Sequence, residues 1–141
     1  MLARIFTRER RKGNVFVESG LVSIIFFALV LGIFDFGQYL YVHQALVQRA
    51  RASIRTGAIK GETNDQIRNR VLYNSPTGSG TGFFGLTTSN VTVTQTGANT
   101  DAARFEVRIT SFPFKSLSLF NGGNKVASST INITVPVGMF N

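Results

Sequence analysis

Residues 10–36 read RRKGNVFVESGLVSIIFFALVLGIFDF, and the arrangement of the rest of the chain depends on this stretch. Arg10, Arg11 and Lys12 precede Gly13, Glu18 stands five positions after that glycine, and residues 19–34 carry no charge until Asp35. At helical rise these 16 residues cover roughly 24 Å, short of a hydrocarbon core of about 30 Å. Val15, Phe16 and Val17 on one side and residues 36–42 on the other supply the missing length. The segment can therefore span a bilayer with both acids near its edges. A carboxylate held that close to lipid is costly, so its presence asks for a specific reason.

The formal charge of +8 on 141 residues first suggests a nucleic-acid partner. The distribution argues against it. Arg4, Arg8, Arg10, Arg11 and Lys12, opposed by Glu9, give residues 1–13 a net +4, so half of the excess is a membrane flank. Lys and Arg are retained on the cytoplasmic side, which places the N-terminus inside. Arg49, Arg51, Arg55 and Lys60 lie beyond the segment, but Arg49 is about 15 residues, or roughly 22 Å of helix, past Phe34. Cysteine is absent, which excludes disulfides and thiolate ligation and leaves packing to hold the fold. The length suits one small domain plus this one segment.

Residues 18–58 contain no helix breaker other than isolated glycines, which predicts one continuous helix of about 40 residues and roughly 60 Å. Leu40, Val47 and Ile54 recur every seven residues, interleaved with Phe36, His43 and Ala50, and predict an apolar stripe on its outer half. Thr63 or Asn64 can cap a short helix reaching Val71 or Leu72, with a Gly/Ser-rich connector after it over residues 75–82. Alternation at residues 91–94, 105–110 and 131–135 predicts three antiparallel strands. Turns around residues 97–100 and 121–124 would join them, and the apolar side of the sheet would cover the helix stripe. The fold class is thus α+β: a bitopic membrane protein whose long N-terminal membrane helix packs its outer half on a small antiparallel sheet. The units are a basic leader (1–13), a transmembrane and amphipathic helix (14–58), a short helix with connector (59–82) and a β domain (83–141).

Catalysis finds no support in the residue pattern. There is one histidine, no cysteine, and Glu18, Asp35, Glu62, Asp65, Asp101 and Glu106 are scattered without ligand spacing, so no catalytic, metal or cofactor set is expected. His43, on the stripe, reads as a packed or interfacial imidazole. The glycine run in the connector lacks the strand before it and the helix behind it that a phosphate cradle requires. The triplets beginning at Asn90 and Asn132 read as strand composition rather than glycosylation sites. Phe112, Phe114 and Phe120, around Pro113, read as core. An ordinary secretory cleavage site is also missing, because the A-x-A match Ala50-Arg51-Ala52 lies too far downstream.

A different cleavage chemistry acts before an apolar run, where a basic leader ends in glycine and an acid stands at the fifth mature position. Gly13-Asn14-Val15-Phe16-Val17-Glu18 resembles this type IV prepilin peptidase site. The helix beyond Glu18 resembles the TadE-like family of minor pseudopilins of the tight-adherence (Flp-type) pilus. Leu31-Gly32-Ile33-Phe34-Asp35-Phe36-Gly37 is similar to that family's apolar-Asp-Phe-Gly step. Gln44-Ala45-Leu46, then Ala50-Arg51 and Arg55, are similar to its Gln-Ala-Leu and Ala-Arg-x-x-x-Arg pattern. Phe112-Pro113-Phe114 and Leu117 carry a weaker likeness to its Pro-Phe-x-x-Leu segment.

The resemblance implies cleavage between Gly13 and Asn14 and an assembly role for Glu18 and Asp35. Cleavage would create a charged amine at Asn14, four residues from Glu18, and a cation within a few ångströms strongly favours an acid in apolar surroundings. In pilin families this acid meets a neighbouring subunit's amine and sets axial register; the alternative is that Glu18 simply reaches the headgroups. Asp35 either rests in the outer interface or pairs with a basic partner on another membrane helix. Arg51 and Arg55, four apart on one face, are either an interaction surface or a solvated basic face. The implied protein is a non-enzymatic pseudopilin in the bacterial inner membrane, single-pass, with its C-terminal domain periplasmic or carried into a surface pilus. Its partners would be the prepilin peptidase, other pseudopilins and the major pilin, the membrane platform of the secretion machinery and the lipid bilayer, with no nucleic acid. Two other readings compete: an uncleaved single-span membrane protein whose outer domain binds a ligand or envelope polymer, and a DNA-binding pilin using residues 49–60.

Overall fold

The computed structural model describes residues 6–98, 102–116 and 123–137. Helix α1 (Phe6–Lys60) is a single element of 55 residues, longer at both ends than the sequence predicts. The N-terminal extension has a simple origin: residues 6–17 hold one glycine, no proline and several Arg, Lys and Glu, which are good helix formers. At the other end Gly61 takes a left-handed φ of 64°. The Glu62 amide donates to the Gly57 carbonyl (2.9 Å) and the Gly61 amide to that of Ala58 (3.4 Å). This paired closure satisfies the last carbonyls of the helix and turns the chain back.

The turn leads into α2 (Asn64–Tyr73), and Thr63 is its cap. The Thr63 hydroxyl accepts from the Gln66 amide, and the Gln66 side chain accepts from the Thr63 amide (2.8 Å), a reciprocal arrangement that satisfies two orphan donors. Ile67, Val71 and Leu72 are the buried face of α2. Gly57 lets that face approach α1, because a Cβ there would collide with the Ile67 side chain. Two one-turn 3-10 helices (Phe83–Gly85 and Thr88–Asn90) then bring the chain to the sheet.

Strands β1 (Val91–Thr96) and β2 (Arg104–Ile109) pair antiparallel. Beyond a hairpin of two short strands, β3 (Pro113–Ser116) and β4 (Gly123–Val126), the last strand, β5 (Ile131–Pro136), also pairs antiparallel with β2, giving the order β1-β2-β5. The register aligns apolar residues across all three: Val91, Ile109 and Ile131 form one row, and Val93, Val107 and Ile133 the next. One face of the sheet is thus continuous hydrocarbon. Thr92, Arg108 and Asn132 form a row on the other face, where the Arg108 Nε donates to the Asn132 Oδ1 (3.2 Å).

The structure corrects two expectations. The turn expected at residues 121–124 does not join β2 to β5 directly: β3 and β4 form a second, two-stranded antiparallel sheet between them, and Gly123 and Asn124 lie in β4. β3 packs against α1 near its exit from the apolar segment, where Phe112 stacks on Tyr39 (5.9 Å between centroids) and Phe114 meets the same ring edge-on (5.7 Å). The loop from β1 to β2 and Phe120 and Leu117 fall wholly or partly outside the described residues.

The helix stripe is also displaced from its expected position. The buried residues of α1 are Val42, Leu46, Ala50, Ser53, Ile54 and Gly57, with Tyr39 and Val47 packed beside them. Ala50, Ile54, Val47 and His43 belong to the predicted stripe, but Leu40 is 39% exposed and Phe36 63% exposed. Phe36 lies below the level at which Phe112 and Phe114 begin to cover the helix, and Leu40 lies at roughly 80° from Ala50 on the helical wheel, at the margin of the packed face. Removing a fully buried Leu costs about 2–5 kcal/mol. Leu46→Ala is therefore expected to lower the unfolding free energy of the detergent-solubilised full chain by that amount, and Leu40→Ala by less than about 1 kcal/mol. Denaturant titrations of the two variants check which face carries the core.

Candidate assembly surface

The sequence motifs lie along α1 as a line rather than a cluster. Asn14 and Glu18 are one turn apart, both exposed, on a stretch where Phe16 is 85% exposed. Asp35 is half-buried and engaged in an interaction. It stands about 25 Å along the axis from Glu18, and Arg51 about 24 Å beyond it. The fold brings none of these three together. The apolar window of α1 is wholly unburied in the chain itself, and α1 is the one helix among the described residues long and apolar enough to cross a membrane.

Arg51 and Arg55 do meet another element. Both line an open cleft of about 500 Å³ whose other wall is Asn132, Ile133, Thr134 and Val135 of strand β5. Both residues are exposed and flank a sheet edge. That edge is an outer strand, since β5 pairs only with β2 among the described residues.

His43 is half-buried, between the rings of Tyr39 and Phe112, each 6.2 Å from it. This is the packed imidazole that its position on the stripe predicts. Among the described residues no group of His, Cys, Asp or Glu is placed to hold a metal ion. Asn132 of the second triplet is a strand residue, and the Asn90 side-chain amide donates to the carbonyls of Thr110 and Ser111 (3.2 Å each), fastening the turn in which Ser111 has a φ of 54°.

Two interactions that sequence reasoning missed hold α2 in place. The Arg49 Nε donates to the Val71 carbonyl (3.2 Å) while its guanidinium lies 4.6 Å from the centroid of the Phe83 ring. Burial pushes the Arg49 pKa down. Glu62, with its side chain 8% exposed, accepts a two-point contact from Arg70, one arm of it Nε to Oε2 at 2.9 Å. No sequence signal marks either pair, because Arg49 and Phe83 lie on elements far apart in the chain, and Glu62 and Arg70 lack the helical spacing of neighbours.

Residues 13–55 match the model of the family described as TadE-like protein, the family that the sequence resembles. No curated protein and no solved structure matches the chain. The matched region begins at Gly13 and ends at Arg55, so it takes in the apolar segment, Glu18, Asp35, Arg51 and Arg55, and stops before α2 and the sheets. It points to involvement in the tight-adherence pilus system, in a family that is not one of enzymes, with membrane and pilus-component partners. The single candidate span near the N-terminus fits a single-pass membrane protein.

The hydrogen bonds from Arg70, and then its charge, hold the Glu62 carboxyl below the usual carboxylate range. The stabilisation is accordingly complete above the unfolded carboxylate value of about 4.3 and disappears as pH falls through the lower folded value. Unfolding of the full chain measured from about pH 7 to about pH 3 is expected to show a loss of stability at the acid end. Glu62→Gln should be less stable at neutral pH and show a flatter acid limb.

Proposed function

We propose that this chain is a minor pseudopilin of a tight-adherence pilus, made as a precursor and cleaved between Gly13 and Asn14 by a prepilin peptidase. The observation that carries the reading is the family match, which starts at the proposed cleavage glycine and takes in the apolar window of α1 that the chain leaves unburied. Residues 1–13 stay in the cytoplasm because of their net positive charge, and the sheet domain emerges in the periplasm. Loss of the leader halves the net charge to +4.

Cleavage also changes the electrostatics of the helix start. Before it, Gly13 is an interior residue of α1 and the weakest point of its first turns, since Gly costs about 1 kcal/mol relative to Ala in a helix. After it, Asn14 carries an ammonium, which adds to the positive end of the helix dipole. Glu18 offsets that charge either one turn along its own helix or on a neighbouring subunit. A desolvated carboxylate gains most where a partner charge meets it. Between subunits this fixes the axial stagger of one helix against the next, and Glu18 and Asp35 become the two charged marks of register. Arg51, Arg55 and the β5 edge lie outside the bilayer, where other pseudopilins, the major pilin or the membrane platform can reach them.

Mass spectrometry of the membrane-extracted protein tests the first step. Peptidase-positive cells are expected to yield a chain beginning at Asn14, and Gly13→Leu to yield the uncut precursor; an intact precursor in the parent strain overturns the processing. For the second step, Glu18→Ala is expected to insert and mature normally while pilus yield falls at least about tenfold, the equivalent of losing about 1.4 kcal/mol per contact. Normal piliation in that variant would remove register as the role of Glu18.

A further inference from the structure

The helix surface that leaves the apolar segment runs without interruption into a groove on the domain. Gln38 and Tyr41 belong both to a shallow trough beside Ile33, Phe34 and Gly37 and to a larger groove of about 640 Å³. The far wall of that groove is made by Phe84, Pro113, Phe114 and Lys115.

Phe84 is held there at a cost. Its backbone has φ 53° and ψ 26°, a left-handed conformation that costs a non-glycine residue of the order of 1 kcal/mol or more. The Phe83 and Phe84 rings stay in contact, 4.4 Å between centroids, but differ in what else they touch. Phe83 packs against the core under Arg49, while Phe84 is turned outward, 36% exposed, and meets the Tyr41 ring edge-on at 6.0 Å. Tyr41 is itself 67% exposed. The fold thus strains its backbone to keep a pair of aromatics out of the core.

The height of this pair on α1 explains why. Whether a hydrocarbon layer of about 30 Å is centred on residues 15–34 or on residues 19–38, Tyr41 lies within roughly 5–10 Å of its outer edge. That is the headgroup zone, where amphipathic aromatic rings are favoured. Lys115 is exposed at the rim of the groove and has the charge to meet a phosphate. We propose that the groove seats a glycerophospholipid of the leaflet on the domain side, an acyl chain lying between Tyr41, Phe84 and Phe114 and the phosphate beside Lys115. The domain then rests on the membrane surface by a defined face before any assembly. This rests on the reading of α1 as a membrane span, and it adds a lipid contact made by the domain itself.

The chain has no tryptophan, so single-Trp variants report on this directly. Full-length Phe84→Trp, Phe27→Trp and Ile59→Trp are each placed in nanodiscs of phosphatidylglycerol and phosphatidylethanolamine, with or without lipid brominated on the acyl chain near the glycerol or near its end. Phe84→Trp is expected to emit to the blue of Ile59→Trp and to be quenched at least about twofold by the near-glycerol bromines, as a ring in the interface would be. Phe27→Trp should be quenched most by the chain-end bromines. Lys115→Glu in the Phe84→Trp background should lessen quenching in anionic and in zwitterionic nanodiscs alike, since both lipids carry the phosphate; unchanged quenching overturns the phosphate contact. Quenched Phe27→Trp beside unquenched Phe84→Trp overturns the lipid seat alone, and an unquenched Phe27→Trp overturns the span and the seat together. A Phe84→Trp blue shift that tracks protein concentration and ignores brominated lipid assigns the groove to a second copy and overturns the proposal.

Discussion

Burial of one face of the outer half of α1 is the contact on which the rest of the domain depends. Leu46, Ala50 and Ile54 are wholly excluded from solvent, and both the sheets and α2 gather around them. A three-stranded sheet with a single apolar face has little hydrophobic area to bury by itself and needs a helix to cover it. Here that helix is the same one that carries the candidate membrane span. The contacts around it adjust this packing: Gly57 permits close approach, the closure at Gly61 reverses the chain, and Arg49 and Glu62 tie α2 down at Val71 and Arg70.

The division of α1 into a lipid-facing and a domain-facing half comes from residue choice. Residues 19–34 are apolar all round, which suits a helix surrounded by hydrocarbon. From Gln38 onward polar residues return on one side, and small residues such as Ala50, Ser53 and Gly57 occur among the branched ones on the other, where α2 and the strands must come near. Glu18 and Asp35 mark the approximate limits of the fully apolar part. Their spacing and that of Arg51 along a single helix sets these charges at different heights rather than building a pocket.

Much of this is legible in the residues alone. The absence of proline and the lack of charge predict the long helix; strict alternation predicts β1, β2 and β5; and Thr63 with Gln66 three residues on marks the start of α2. β3 and β4 are hidden because Pro113 disfavours a strand reading and because glycine and asparagine at residues 121–124 look like a turn when the packing of Phe112 on Tyr39 is not known. The predicted stripe sits slightly off the true centre since a seven-residue repeat marks a helix face without saying where the covering domain stops. Arg49 over Phe83 leaves no local signature at all. The positions of Gly13, Asn14, Glu18, Asp35, Arg51 and Arg55 are legible as a spaced pattern, while the cleft that Arg51 and Arg55 share with β5 depends on packing between distant elements and leaves no local signal.

The unbroken run of α1 from the membrane into the centre of the domain has a mechanical consequence. With no hinge between them, the folded head and its anchor share one shaft, so a push or twist delivered to the membrane end arrives at the sheets undiminished except by the elasticity of the helix. A screw displacement that put each residue where its neighbour stood would raise the head by about 1.5 Å and swing it through roughly 100°. Wherever contacts along the shaft hold that register, height and orientation of the head would change together.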